Sequence, residues 1–404
     1  MISFKEARAA VLKVQPLGTQ EIDVSNGLGR VLSEDVIALV DSPPIDSSLK
    51  DGFALRARDI EQASHKRPVR LAVRGSLCAG GQASLSIGEG EAIKVMTGAR
   101  VPDGADAVLP QELASEEGDG AVSCLAPTTE GRNILLKGSD VSKGEVLLPK
   151  GIRLTPGLIG LLTGAGLTRV KVFSIPRVAI VATGSELAEE GRLNESYKIF
   201  PSNRATIVSS LKGIGVEARA MLCKDEPKAL ERLLSHCLEK FDVIITSGGV
   251  LDGERDLVVK IFERLGVSFC FKRVRMGPGK GVCMGTLGKR LIFNLPGGPP
   301  SNFVAFLFVA LSSVLRLIGI TEPFPKVVKA TLGSPLKGRA DWTQLVLSKV
   351  RFKGNGFYTF PVREESRLKR IAFSDSVIIN PEGSTMLRAG QLVDVAIFQP
   401  SRVL

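Results

Sequence analysis

The sequence predicts a multidomain protein that combines an α/β unit with separate β domains. The chain has 404 residues, of which 44% are hydrophobic and 24% charged, so it is long enough for several cores and too apolar for a disordered chain. Between residues 176 and 320, short apolar runs alternate with helical patterns, which is typical of a parallel sheet covered by helices. Strand-like runs separated by Gly and Pro dominate the segments on either side.

Two helical patterns are expected in the N-terminal part of the chain. The first is amphipathic and opens with a capping box of Ser3 and Glu6. The second covers residues 151–166, and we expect it to pack against the first. Together they predict a discontinuous helical linker domain made of residues 1–50 and 139–175.

The segment between these helices, residues 51–138, is predicted to be an inserted β domain. Its apolar runs are short and are separated by turns that contain Gly and Pro. The clearest predicted strands are residues 69–73, 92–96 and 107–110.

Residues 176–322 are predicted to form an open, mostly parallel sheet with helices on both faces. The predicted strands are residues 177–182, 216–222, 242–246, 267–274 and 290–294. The predicted helices are residues 203–215, 226–241, 256–266 and 301–320.

Residues 323–404 differ in composition and are predicted to form a small β barrel or sandwich. The predicted strands are residues 344–350, 357–360, 376–379 and 392–398.

The most informative loops of the α/β unit follow its predicted strands. Open α/β sheets bind ligands beyond the carboxyl ends of their strands, and glycine-rich turns before helices expose N–H groups to anions. The acidic residues of these loops, Glu186, Asp225, Glu254 and Asp256, are expected around one cleft. Carboxylates beside a phosphate site need a cation between them, so Mg²⁺ is expected there. Each acid could instead cap a helix, but three such loops at one sheet edge favour a site.

The charge pattern indicates an anionic partner. The net charge is +11, and residues 323–404 carry 13 Lys and Arg against 6 acidic residues. A nucleic-acid surface would explain this excess, and so would a solvated basic face near a site for a small anion. With 1 Trp and 2 Tyr and without a nucleic-acid-binding motif, the second interpretation is favoured.

Two further sequence features bear on zinc and on location. The six Cys form no C-x-x-C pair and the chain has only two His, which argues against a structural zinc site. The N-terminus lacks a signal-peptide pattern, and the most apolar stretch, residues 303–315, is too short to span a bilayer. We therefore expect a cytoplasmic protein without membrane association.

Several segments taken together resemble the MoeA-type molybdopterin molybdenumtransferase family, which is shared with the gephyrin C-terminal domain. They are PPIDSSLKDGFA at 43–54, MTGARVPDGADAVLPQE at 96–112, PRVAIVATGSEL at 176–187, and residues 247–256 followed by 277–280 and 295–299. The resemblance implies a MogA-like molybdopterin-binding α/β domain with an inserted β domain, a discontinuous linker domain and a C-terminal β-barrel domain.

The resemblance also implies a reaction and partners. Adenylylated molybdopterin and molybdate would be the substrates, and AMP would be released with Mg²⁺ as cofactor while molybdenum is placed on the dithiolene. The family forms homodimers whose cleft joins the β insert of one subunit to the α/β unit of the other. Other proteins of molybdenum cofactor biosynthesis are further expected partners.

Site residues carry over from matching motif positions. The resemblance implies that Glu186, Asp225 and Asp256 hold the metal and phosphate, that Lys280 stabilises an oxyanion, and that Asp51 and Thr97 reach the cleft from the β insert. The residues expected to bind the pterin nucleotide are Thr183, Gly184, Ser247, Gly248, Gly249, Gly253, Pro278, Gly279, Pro296, Gly297, Gly298 and Ser366.

The chain departs from the family pattern at several of these positions. A family lysine is replaced by Gly277, and the amide of L-P-G-N-P by Gly298. Lys50 stands where a methionine is usual, and Lys50 or Arg255 could supply the missing charge. These departures mark a divergent member and support an alternative hypothesis, in which a paralogue binds or carries molybdopterin without turnover.

Overall fold

The structure is a computed structural model, and it describes residues 1–81, 85–188, 198–248, 257–354 and 356–399. Among the predicted site residues, Gly249, Gly253 and Asp256 lie outside the described residues, as do Glu254 and Arg255.

The first elements form a linker region and then enter the β insert. They are β1 (Ile2–Ser3), α1 (Phe4–Leu12), β2 (Thr19–Asp23), β3 (Val36–Ile37) and β4 (Ser47–Ser48). The insert contains β5 (Gly52–Leu55), β6 (Val69–Leu77), β7 (Glu91–Val95), β8 (Ala107–Pro110), β9 (Ala114–Glu117) and β10 (Ala121–Cys124). These six strands make one sheet in the order β8-β5-β7-β6-β10-β9, around a core that includes Phe53, Leu55 and Leu109.

The chain leaves the insert along the same path by which it enters. The returning elements are β11 (Ile134–Leu135), β12 (Val146–Leu148), α2 (Pro156–Gly164) and β13 (Arg169–Phe173). Each returning strand pairs antiparallel with an outgoing one, β11 with β4, β12 with β3 and β13 with β2. These ladders close a small linker core around Leu32, Leu154 and Leu162.

The expected packing of the two N-terminal helices is wrong. Helix α1 begins with the predicted capping box, in which the Glu6 N–H donates to the Ser3 hydroxyl. However, its buried residues Phe4 and Val11 join the core of the α/β unit, whereas Leu162 of α2 joins the linker core. The reason is physical: the apolar stripe of α1 is covered by the long C-terminal helix of the α/β unit, so it has no apolar face left for α2.

The α/β unit begins with six elements that alternate as predicted. They are β14 (Val178–Thr183), α3 (Ser202–Gly213), β15 (Ala218–Cys223), α4 (Pro227–Lys240), β16 (Val243–Ser247) and α5 (Leu257–Arg264). The remaining elements are β17 (Ser268–Phe271), β18 (Val274–Gly277), β19 (Cys283–Leu287), β20 (Arg290–Leu295), α6 (Pro299–Ala305) and α7 (Ser312–Leu317). Its sheet has the order β15-β14-β16-β20-β19-β17.

This sheet is parallel in β15, β14, β16 and β20, and antiparallel in β19 and β17. Alternate side chains of β14 enter different cores: Val178 and Ile180 face α3 and α6, while Ala179 and Val181 face α4 and α5. Both faces are buried, which explains the continuous apolar strand sequence. The predicted strand 267–274 is wrong in its extent, because β17 ends at Phe271 and β18 belongs to another sheet.

The last helix of the unit is a single long run from Pro299 to Leu317, in which residues 306–311 form a π-helical turn. It is long and apolar enough to cross a membrane by length and composition, but 72% of that segment is buried inside the protein. Its buried side chains, among them Phe306 and Val309, are the centre of the α/β core.

The C-terminal region is a closed barrel of five strands, as predicted. Its elements are β21 (Lys326–Leu332), β22 (Leu336–Lys337), β23 (Thr343–Lys353), β24 (Gly356–Pro361), α8 (Arg367–Ala372), β25 (Ser376–Asn380), β26 (Met386–Leu387) and β27 (Leu392–Ile397). The order β23-β24-β21-β27-β25 closes because β25 also pairs with β23. β18 and β1 extend this sheet beside β23, so the barrel is tied to the chain's N-terminus and to the α/β unit.

Candidate functional site

A cavity of about 630 Å³ lies at the carboxyl edge of the α/β sheet. The strand ends Thr183 and Ser247 line it, together with the first residues of α3 and α6. Such an edge is where open α/β sheets bind ligands, and the N-terminus of α3 there has backbone N–H groups that no intrahelical bond uses. The cavity therefore suits a ligand that carries phosphate.

Two amide side chains fix the floor of this cavity. Asn203 Nδ2 donates to Ser247 Oγ at 3.3 Å and to the Gly297 carbonyl at 2.8 Å. Asn302 Nδ2 donates to the same hydroxyl at 2.9 Å and to the Pro296 carbonyl at 2.9 Å. These bonds join α3, β16 and the loop after β20 into one rigid frame.

The hydroxyl of Thr183 is the unpaired polar group of the cavity wall. The residue is 2% exposed, and its Oγ1 has no hydrogen-bond partner among the described residues. A buried hydroxyl without a partner costs free energy, so such a group in a cavity wall favours a ligand that completes its bonding.

Gly248 allows two strand ends to approach closely. Its φ is +106°, and a Cβ atom there would lie 2.3 Å from the Thr183 carbonyl oxygen. No other residue type fits this position without moving the backbone. The close approach brings Thr183 and Ser247 into the same wall.

Glu186 and Asp225 lie in adjoining loops. The Ser185 N–H donates to Asp225 Oδ2 at 3.2 Å, which holds the loop after β15 against the loop after β14. Both carboxylates are exposed, and Glu186 lines the cavity whereas Asp225 does not. The third predicted metal ligand, Asp256, lies outside the described residues, and within the described parts of the chain no three His, Cys, Asp or Glu residues are grouped closely enough to hold a metal ion.

The donor type of the two acids is nevertheless the type that magnesium takes. Mg²⁺ commonly binds through one or two carboxylates and completes its shell with water and substrate phosphate oxygens. Two exposed carboxylates in adjoining loops, beside a cavity suited to phosphate, supply this kind of donor set.

Cations that the sequence analysis did not select line the same cavity. Lys198, Arg204 and Arg367 line its wall, and the acid Glu186 lines it as well. Leu187, Ile199, Phe200 and Leu368 form an apolar rim, and the last three are about half exposed. A ligand with several negative charges and a flat ring system would match both surfaces.

Ser366 is brought to the cavity from the barrel region. It lines the cavity and caps α8, since its Oγ accepts a hydrogen bond from the Lys369 N–H at 3.3 Å. Of the other predicted binding residues, Gly297 and Gly298 also line the cavity, and Pro296 offers its carbonyl to Asn302.

Lys280 does not line this cavity and lies in the turn that follows β18. The turn is held by the Val274 N–H donating to the Lys280 carbonyl at 3.0 Å, and Pro278 and Gly279 precede Lys280 in it. The Lys280 ammonium is 5.9 Å from the Trp342 ring centroid, and the Arg339 guanidinium is 5.1 Å from it. None of the turn residues lines the cavity.

Trp342 also lies beside Gly277. A Cβ atom at Gly277 would lie 4.0 Å from the indole Cε3 atom, so the ring occupies the space beside this glycine. The chain thus places an aromatic ring with two cations near the position where the family pattern has a second lysine.

Asp51 and Thr97 form a pair in the β insert. The Thr97 N–H and hydroxyl donate to Asp51 Oδ1 at 2.6 and 2.8 Å. These hydrogen bonds lower the pKa of the Asp51 carboxyl below its ordinary value, because they stabilise its charged form. Neither residue lines the cavity of the α/β unit within this chain.

Comparison with known proteins assigns this architecture to a family. Residues 2–166 match the MoeA N-terminal region (domain I and II), and residues 179–316 match a probable molybdopterin binding domain. A molybdopterin molybdenumtransferase of Staphylococcus aureus strain MSSA476 is 31% identical over 400 residues, covering 98% of this chain and 95% of that protein. This chain belongs to the MoeA-type molybdopterin molybdenumtransferase family.

Other members of the MoeA-type family agree with this assignment. A molybdopterin molybdenumtransferase of Staphylococcus epidermidis strain ATCC 12228 is 30% identical over 402 residues, covering 98% of this chain and 95% of that protein. A crystal structure of the molybdopterin biosynthesis MoeA protein from Pyrococcus horikoshii OT3 matches with a TM-score of 0.81 at 28% identity, over 98% of this chain and all of that one. The predicted fold of a MogA-like α/β domain with β domains is therefore confirmed.

The amides Asn203 and Asn302, like the three cations of the cavity wall, were not predicted from the sequence. Both amides belong to the first turn of a helix that follows a glycine- or proline-containing segment. That position was a usable signal, because the first turns of helices at the carboxyl edge of a parallel sheet converge on one place.

Proposed function

We propose that this chain transfers molybdenum from molybdate to adenylylated molybdopterin, with Mg²⁺-dependent release of AMP. The chain is a transferase of molybdenum cofactor biosynthesis by family. The observation that carries the proposal is the cavity at the carboxyl edge of the α/β sheet, which combines cations, an apolar rim and an unpaired buried hydroxyl.

Charge neutralisation is the first requirement of this reaction. The pterin nucleotide is a polyanion and molybdate a dianion, so their repulsion must be offset before they meet. Lys198, Arg204 and Arg367 supply positive charge along the cavity wall, and the N-terminus of α3 adds N–H groups. Lys280 is proposed to stabilise an oxyanion from the neighbouring turn.

Positioning is the second requirement. Asn203 and Asn302 hold Ser247 and the loop after β20 in place, which fixes the walls against which the phosphates lie. Thr183 is proposed to bond the ligand directly. The pterin ring would lie against the apolar rim formed by Ile199, Phe200 and Leu368.

Metal binding is assigned to Glu186 and Asp225, with Asp256 as a further proposed ligand. When bound, Mg²⁺ neutralises and polarises the phosphoanhydride. The protein orients that bond within the cavity while water cleaves it to the pterin phosphate and AMP. Each of the two molybdenum–sulfur bonds then replaces an oxygen of molybdate, which takes up protons and leaves as water.

A homodimer is proposed to complete the site, because Asp51 and Thr97 lie outside the cavity of their own chain. The linker region offers a surface for association: Ile37 and Val146 are paired across β3 and β12 and are 50% and 60% exposed. Leu39 and Val40 continue this apolar surface at 55% and 42% exposure. Exposed apolar patches of this kind mark protein interfaces.

A cytoplasmic location is proposed together with this activity. It is supported by the burial of the long helix Pro299–Leu317 within the core.

The direct test supplies purified protein with adenylylated molybdopterin, molybdate and Mg²⁺, and measures AMP by chromatography. We expect AMP release that depends on Mg²⁺ and falls at least a hundredfold in Glu186→Gln, because the metal loses a charged ligand. Glu61→Gln, an exposed acid of the β insert outside the cavity, is the matched control and should leave the rate unchanged. Absence of AMP in a preparation that binds the substrate would refute the proposal.

A carrier protein is the second candidate. Gly277 and Gly298 replace side chains of the family pattern, and Trp342 occupies the space beside Gly277. In that case the chain would bind the pterin nucleotide tightly, and its AMP release would be no faster than that of Glu186→Gln.

A further inference from the structure

A second cavity of about 410 Å³ lies in the β insert, beside the segment that carries Asp51. Leu109, Pro110, Leu113 and Pro127 give it an apolar wall. Lys50 precedes Asp51 in the chain and is part of the lining. None of its lining residues belongs to the cavity of the α/β unit.

The polar side of this cavity carries two cations and two hydroxyl groups. Lys50 and Arg132 line it together with Thr128 and Thr129. Among the described residues, the side chains of Lys50 and Arg132 have no ion-pair or hydrogen-bond partner. Two cations without a carboxylate in one concave surface favour an anion, because nothing offsets their mutual repulsion.

The two cations are held near each other by the backbone. The Leu49 N–H donates to the Asn133 carbonyl at 2.9 Å, and the Val108 N–H donates to the Arg132 carbonyl at 3.0 Å. The first bond joins the residue before Lys50 to the residue after Arg132. The second joins Arg132 itself to Val108 of β8. The backbone positions of Lys50 and Arg132 are thus fixed by the fold.

Asn133 strengthens this frame. It has a φ of +60°, and its Nδ2 donates to the Val108 carbonyl at 2.8 Å. Asparagine tolerates this left-handed conformation better than other residues with a side chain, and its bond to Val108 holds the turn in place. The turn that presents Arg132 is therefore built into the domain.

We propose that this cavity binds a nucleoside monophosphate, with the phosphate between Lys50 and Arg132 and the base against Leu109, Pro110 and Pro127. A bare oxyanion would leave the apolar wall in contact with water, and a neutral apolar ligand would leave both cations unused. The choice of adenine rests on the proposed function, in which AMP is the released product. AMP leaving the main site would then be held beside Asp51.

The test is photolabelling of the full-length protein with 8-azido-AMP, followed by mass spectrometry of its peptides. We expect labelled peptides within residues 109–133, and unlabelled AMP should compete. Lys50→Met and Arg132→Gln should each weaken AMP binding, measured by equilibrium dialysis, at least tenfold, whereas Lys50→Arg should retain it. Lys66→Met, at an exposed lysine of the same domain outside the cavity, is the matched control.

Three results would overturn this inference. The first is labelling confined to residues 182–204 of the main cavity, or no labelling. The second is unchanged AMP affinity in both Lys50→Met and Arg132→Gln when circular dichroism shows that they are folded. The third is competition by inorganic phosphate or molybdate at the same concentration as AMP, since it would mean that the apolar wall contributes nothing.

The inference and the proposed function can fail separately. Without AMP release from the pterin substrate, labelling within residues 109–133 would still identify a nucleotide site. Normal AMP release without such labelling would remove the second site and leave the transfer reaction untouched.

Discussion

Thr183 shows how one residue can lower stability and serve binding. Its hydroxyl is buried in the wall of the main cavity and has no partner among the described residues. Folding removes its bonds to water, so the folded protein bears a desolvation cost that a ligand can relieve. The hydroxyl of Ser247 in the same wall is not unpaired, because it accepts hydrogen bonds from Asn203 and Asn302.

Thr183→Val should therefore separate stability from function. We expect the free energy of unfolding to rise by about 1 kcal/mol, since valine keeps the shape and removes the unpaired group. Substrate affinity should fall about tenfold, which corresponds to roughly 1.4 kcal/mol. Urea unfolding and AMP-release kinetics measure the two effects.

Thr359→Val is the matched control for this prediction. Thr359 has an equally buried, unpaired hydroxyl, but it lies in β24 of the barrel. Its replacement should also raise stability and should leave substrate affinity unchanged. Equal losses of affinity in both variants, or no loss in Thr183→Val, would contradict the assigned role.

Asp51 and Thr97 give a residue-scale prediction about pH. The Thr97 hydrogen bonds lower the pKa of the Asp51 carboxyl in the folded protein. The stability that this pair contributes is thus present above the unfolded aspartate value of about 3.9, and it is lost as the pH falls through the lower folded value. Thr97→Val should be less stable than the unaltered chain at pH 7, and the difference should shrink by pH 3. Urea midpoints at both values test this, and a difference that grows in acid would contradict it.

At the scale of elements, the parallel strands explain why the main cavity forms where it does. β14, β15 and β16 are neighbours, so the loops that follow Thr183, Cys223 and Ser247 meet at one edge. Gly248 is needed for this meeting, because a side chain there would collide with the Thr183 carbonyl.

Gly248→Ala should move the end of β16 and impair binding. We expect a loss of about 1–3 kcal/mol in the free energy of unfolding, the usual cost of an enforced left-handed conformation, together with weaker substrate binding. Gly213→Ala is the control, since a Cβ atom at this last residue of α3 meets nothing within 4 Å. It should be neutral or stabilising by roughly 0.5 kcal/mol. Thermal unfolding and substrate titration measure both variants. Equal stability and equal substrate binding in the two variants would contradict the prediction.

The order of the strands in this sheet explains which parts of the α/β unit could be predicted from the sequence. Repeated strand–helix patterns predict parallel neighbours, and parallel neighbours place the loops of Glu186 and Asp225 at one edge, as found. Antiparallel β17 and β19 break that pattern, so β19 was missed and β18 was merged with β17. The roles of Asn203 and Asn302 were missed because each depends on which backbone groups lie nearby in space, and these come from distant parts of the chain.

At the scale of the whole molecule, the β insert is connected to the rest of the chain through paired strands of the linker region. β2, β3 and β4 on the way out pair with β13, β12 and β11 on the way back, so the insert is carried as one body by the linker region. Among the described residues, none of the insert lines the cavity of the α/β unit. The proposed homodimer would bring Asp51 to that cavity from a second subunit.

Mixing two inactive variants tests this arrangement. Asp51→Asn removes a charge from the insert, and Glu186→Gln removes one from the α/β unit. If each cleft joins the two parts from different subunits, a mixed dimer contains one cleft with both substitutions and one with neither. After subunit exchange at equal amounts, about a quarter of the original AMP-release rate should return, because half of the dimers are mixed and half of their clefts are intact.

The control for this experiment mixes a Glu186→Gln chain with an Asp225→Asn chain. Both residues belong to the α/β unit, and the N–H of Ser185, which precedes Glu186, donates to Asp225. Every cleft of their mixed dimer carries one substitution, so the rate should not return. Exchange itself is followed with two differently tagged chains by affinity capture. No recovery with Asp51→Asn once exchange is complete would mean that each subunit builds its cleft alone, and the exposed residues Ile37, Leu39 and Val146 would then need another partner. Recovery in the control would mean that Glu186 and Asp225 of one chain do not serve the same cleft.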